Sequence, residues 1–106
     1  MEWTTRHPTD PTMVARYGHD PARGGTYVEV EHNGMHLVSY ESCLGDQAIR
    51  DVLDDLGTFG FFSYDDVETA LEWLARPTCW RLERPEGCGA RQVLRVVERL
   101  RIASGE

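Results

Sequence analysis

The chain contains no lysine: all eleven of its basic residues are arginine, so every cation keeps its charge and presents a planar fork of donors. It also lacks any apolar run near the eighteen or so residues a membrane span needs, and MEWTTRHPTD at the start has no apolar leader. Cysteines number three and no C-x2-C pair occurs, which fits reduced thiols better than a disulfide framework. These absences predict a cytoplasmic protein without a membrane anchor. P-loop, G-x-G-x-x-G and G-x-S-x-G motifs are missing as well, so no phosphate cradle or nucleophile elbow can be read here. No repeat or low-complexity tract appears.

What is present is enough for one folded domain. The 106 residues, 41% hydrophobic and 27% charged, can bury a modest core without metal or disulfide. Residues 1–11 carry Pro8 and Pro11 among polar neighbours and predict an irregular arm, with the indole of Trp3 pinned onto the body or a partner. Thr12–His19 reads as an edge strand and 19–25 as a turn. Thr26–His32 and Met35–Tyr40 flank Asn33-Gly34, a strong hairpin signal. A two-residue loop would set His32 against Met35, Val30 against Leu37 and Val28 against Ser39 on the core face. Glu31 would then meet His36 on the other face, which suits solvent or a partner.

Helical spacing follows. Ala48, Ile49, Val52, Leu53 and Leu56 make one apolar stripe over Asp46–Leu56, and Gly57 is placed to end that helix in a left-handed conformation. Ser63 reads as the N-cap of a helix over Tyr64–Arg76, with Asp66 three residues on and Phe62 and Val67 placed as a hydrophobic staple. Pro77 stops it. The alternation in Thr78–Arg84 predicts a strand, 85–89 a turn, and Ala90–Ile102 a last helix. The expected fold is α+β: a small antiparallel sheet, made of the N-terminal meander and a later strand, packed by a helical hairpin and a C-terminal helix. In this reading the hairpin and its aromatic loop form the centre.

Charge is unevenly distributed. The formal charge of −7 argues against a phosphate-backbone surface, so nucleic acid is not the expected partner. Residues 41–72 hold nine acids against Arg50 alone, whereas 73–101 hold seven arginines against three glutamates. Asp54 and Asp55 stand in the last turn of the first helix, where the dipole disfavours anions. These features nominate Asp51, Asp54, Asp55, Asp65, Glu68 and Glu72, with Phe61 and Trp73 as aromatic anchors, as a docking surface for a protein with a basic face. Solvation alone is the bland alternative for such a charge run. Arg91, Arg95 and Arg99 recur every four residues and should stack on one exposed helix face.

Metal and cofactor chemistry is not expected. His32 and His36 fall on opposite sheet faces, so they cannot share one tetrahedral ion. Cys43, ahead of a helix start and downstream of the histidines, is the one nucleophile candidate for a small enzyme or ligand-binding domain. In size and charge alone, the chain resembles phage-encoded or mobile-element inhibitors that block a nucleic-acid-binding machine by covering its basic surface. The leading expectation is therefore a small, acidic, non-enzymatic binding module or inhibitor.

Overall fold

The computed structural model describes residues 2–42, 46–77, 85 and 87–105, with backbone alone for 38–42 and 46. Four antiparallel strands, β1 (Glu2–Arg6), β2 (Met13–Asp20), β3 (Gly25–His32) and β4 (Met35–Ser42), form one sheet in the order β1-β2-β3-β4. Helices α1 (Asp46–Thr58), α2 (Tyr64–Ala75) and α3 (Cys88–Ser104) follow, and the fold is α+β. The strand expected over Thr78–Arg84 lies outside the described residues, as do Cys43 and Cys79.

The N-terminal segment departs from expectation. Glu2–Arg6 is a strand, not part of an irregular arm, and only the segment beyond it is loop. Its stabilisation is tertiary: Trp3 lies opposite Tyr17 and stacks on it with ring centroids 5.8 Å apart. β2 is accordingly an inner strand rather than an edge. Ala15, Tyr17, Val28 and Val30 are all buried on the face that meets the helices.

The Asn33-Gly34 turn forms as read, with both residues at positive φ, as a type I′ turn requires. His32 pairs with Met35 and Glu31 with His36, but the register then shifts. Val30 faces Val38, Glu29 faces Ser39 and Val28 faces Tyr40. One extra residue, Leu37, is accommodated as a bulge, and strict period-two counting cannot anticipate that.

Each helix has a local cause. The five apolar residues of the α1 stripe are buried, all but Ile49 completely. α1 runs through Gly57 to Thr58, and the left-handed residue that closes it is instead Gly60, where φ is +82°. The Phe61 N–H donates to the Leu56 carbonyl (2.9 Å) and that of Gly60 to Gly57 (3.1 Å), the paired bonds of a Schellman ending. The ending prefers Gly60 because its following residue, Phe61, can then enter the core beside Leu56. Ser63 caps α2 as expected, its hydroxyl accepting from the Asp66 N–H at 3.1 Å, and both staple residues are buried.

The helical hairpin is not the hub. α2 packs chiefly on α3 and only slightly on α1, whereas α3 also meets β2, β3 and α1. The reason is that α3 carries the broadest apolar face, with Ala90, Val93, Leu94, Val96, Val97 and Leu100 all buried. Trp73 and Leu74 are partly buried against the same core.

Candidate functional site

Two charged regions stand out, one on the helices and one on the sheet. On α1, the spacing that buries Val52, Leu53 and Leu56 turns Asp51, Asp54 and Asp55 outward together. Asp54 is exposed, while Asp51 and Asp55 are half-buried. Burial, then the neighbouring charges of Asp51 and Asp54, push the Asp55 carboxyl above its ordinary value. Asp51 accepts a bond from the Gln47 side-chain amide at 3.1 Å. Among the described residues, no arginine forms an ion pair with Asp54 or Asp55.

On α2, Asp65, Glu68 and Glu72 are exposed, again without an ion-pair partner among the described residues. Asp66 differs from them. Its carboxylate lies against the first turn of α3, so close that a Cβ on Gly89 would meet it at 1.9 Å. There it faces the positive end of the α3 dipole and joins the two helices.

The aromatic anchors need correction. Phe61 is only 5% exposed and belongs to the core, because the Schellman ending turns it inward. It cannot present a ring to a partner. Trp73 keeps some surface, and Tyr64, placed over Gly57, is 61% exposed. The arginine stripe is also not one uniform face. Arg99 turns toward the sheet, where it donates to the Tyr17 hydroxyl at 2.9 Å and stands 5.8 Å from the Trp3 ring centre. Arg91 donates to the Pro85 carbonyl at 3.2 Å, and Arg95 stays exposed.

The second region, which sequence reading missed apart from Glu31 and His36, is the outer face of the sheet. Cross-strand register brings Thr4, Arg16 and Glu29 into one row and Arg6, Val14 and Glu31 into the next. Arg16 pairs with Glu31 at 2.6 Å and approaches Glu2 at 3.9 Å. Arg23 pairs with Glu29 and lies 3.9 Å over the Tyr27 ring. The Tyr27 hydroxyl donates to Glu2 at 2.6 Å, and burial together with that carboxylate pushes the phenol up to about 12. His36 approaches Glu31 at 3.4 Å, an ion pair when the imidazole is protonated.

Glu29, Glu31 and His36 offer three ligand atoms within 4.8 Å of one another, close enough for one cation. Both carboxylates, however, already accept from guanidinium groups. A metal ion would have to displace Arg16 and Arg23 from charges they neutralise, so the cluster is better described as a structural ion-pair network. The signal for this face, Arg16 on β2 and alternate glutamates on β3, was in the sequence, but the β2–β3 register was not.

His7 has a structural task. Its Nδ1 accepts from the N–H groups of Thr9 and Asp10, which leaves Nε2 to donate to the Phe59 carbonyl at 3.0 Å. The ring thereby ties the β1–β2 loop to the α1–α2 loop. No described helix is long and apolar enough to cross a membrane. Comparison with protein-family models, curated proteins and solved structures gives no match.

Proposed function

We propose that the protein is a small acidic binding module, an inhibitor or adaptor without catalytic chemistry, that docks its α1–α2 acids on a basic protein surface. The observation that carries this reading is the crowding of Asp51, Asp54 and Asp55 on the outward face of α1, which runs to Thr58 so that only Asp55 enters its disfavoured last turn, with Asp55 held above its usual pKa. A surface serving only solubility gains nothing by concentrating like charges there, whereas complementary charge on a partner would relieve both the repulsion and the dipole. Asp65, Glu68 and Glu72 extend the same sign along α2, and Trp73 and the exposed Tyr64 supply aromatic area. Phe61 takes no part.

The test is paired affinity capture from the source organism. One bait is the wild-type chain; the other carries Asp54→Asn, Asp55→Asn, Glu68→Gln and Glu72→Gln. The reading expects a basic protein retained by the first at low salt and lost from the second. Equal retention of the same proteins by both baits would refute it.

A further inference from the structure

A third feature lies between β1 and α3. A cleft of about 430 Å³ opens there. One wall is made by three consecutive residues of β1, Thr4, Thr5 and Arg6. Side chains of neighbouring strand residues point to opposite faces, so a wall of three in a row is the backbone edge itself. β1 is a terminal strand of the sheet among the described residues: of these it pairs only with β2, and none of them bonds the N–H and C=O groups of its other edge. The opposite wall is one face of α3, where Gln92, Arg95 and Arg99 recur at i, i+3 and i+7. Buried rings, those of Tyr17 and Phe62 among them, close the floor.

The charged side chains that α3 turns to the groove have one sign: among the described residues that line it, Arg95 and Arg99 stand on that wall and none is an acid, in a chain of net charge −7. Arg99 is pre-positioned by the Tyr17 hydroxyl and the Trp3 ring. Arg95 is exposed and has no ion-pair partner among the described residues. A strand edge facing a cationic helix across a groove is matched by a chain that has backbone groups to pair and carboxylates to offer.

We propose that this groove binds an extended acidic peptide segment of a partner protein, which adds to β1 as a further strand and turns alternate Asp or Glu side chains toward Arg95 and Arg99. Main-chain bonds to the β1 edge would give affinity, and the arginines would select acids at every second position. Nucleic acid is the weaker match: it has no backbone amides for a strand edge, and the acids elsewhere on the chain repel a long polyanion. The surface is independent of the acidic α1–α2 face and opposite to it in sign.

The test uses a blocked synthetic peptide that alternates Asp with Val and Thr, titrated into the 15N-labelled full chain. Three probes accompany it: the same peptide N-methylated at alternate amides, its Lys-for-Asp counterpart, and an oligothymidylate of equal charge. The proposal expects amide shifts concentrated at Thr4, Thr5 and Arg6. It expects binding about fivefold weaker for Arg95→Gln, whose side chain is exposed and carries no part of the fold. N-methylation should weaken binding by at least about tenfold if two main-chain bonds are lost. The Lys peptide should not bind. Failure of the Asp peptide to bind, indifference to N-methylation or to Arg95→Gln, or equal binding of the oligothymidylate would each overturn it.

Discussion

The outer sheet face and the α1–α2 surface are both rich in carboxylates, yet they treat them in opposite ways. On the sheet, Glu2, Glu29 and Glu31 each accept a bond from or pair with an arginine, tyrosine or histidine. Those charges are used up within the monomer. On the helices, Asp54, Asp55, Asp65, Glu68 and Glu72 have no such partner among the described residues. Acid content alone therefore distinguishes nothing; whether the fold itself neutralises the acids does. The helical acids are left for solvent or for another molecule, and the sheet acids hold the strands in register.

The largest effect should come from the residue that separates core from surface beneath the helices. Phe61→Ala should destabilise by about 3–5 kcal/mol in urea melts, the cost of emptying a buried aromatic site. A ring serving as an exposed anchor would instead leave stability unchanged. Next comes the paired face. Glu31 accepts a charged bond from Arg16 and its side chain is 15% exposed, so Glu31→Ala should cost about 1.5–3 kcal/mol. A cost near zero would erase the contrast between the two regions.

Smaller, and opposite in sign, is the unpaired face. Asp55→Asn should stabilise the fold at neutral pH by about 0.3–1 kcal/mol through the helix dipole alone. The Asp55 carboxyl is raised in the folded state, so the folded chain holds that proton more tightly than the unfolded chain does. The stabilising effect of the proton is present below the ordinary carboxylate value and is lost as pH rises through the raised one. The advantage of the asparagine variant should therefore vanish in acid, as melts from neutral pH downward would show. The smallest effect lies on the sheet again. Tyr27 should titrate near 12 by phenolate absorbance, and Glu2→Gln should lower that value. Stability held by this neutral phenol is complete below about 10 and fades as pH rises toward 12.

Much of the fold could be read along the chain because its signals are local. The Asn33-Gly34 turn, the Ser63 cap and the apolar stripes of α1 and α3 involve residues within a few positions of one another. What escaped depends on distant partners. β1 exists because Trp3 finds Tyr17 and Arg99, and neither is announced by a five-residue segment beside Pro8. Gly57 and Gly60 are equally permissive; the burial of Phe61 decides between them. Leu37 reads as core by alternation and is displaced by a bulge that leaves it 46% exposed. At the candidate surface, the acids of α1 and α2 were legible as outward-facing, because helical periodicity fixes that. Their lack of partners was not, because it required knowing where every arginine goes.

The central claim, that the unpaired helical acids are kept for a basic partner, is tested most directly by association kinetics. The captured partner would be bound to wild type and to the Asp54→Asn, Asp55→Asn double variant across a salt series. The account predicts a severalfold slower on-rate for the variant at low salt, a flatter salt dependence and a nearly unchanged off-rate. An on-rate equal to wild type at low salt would contradict it.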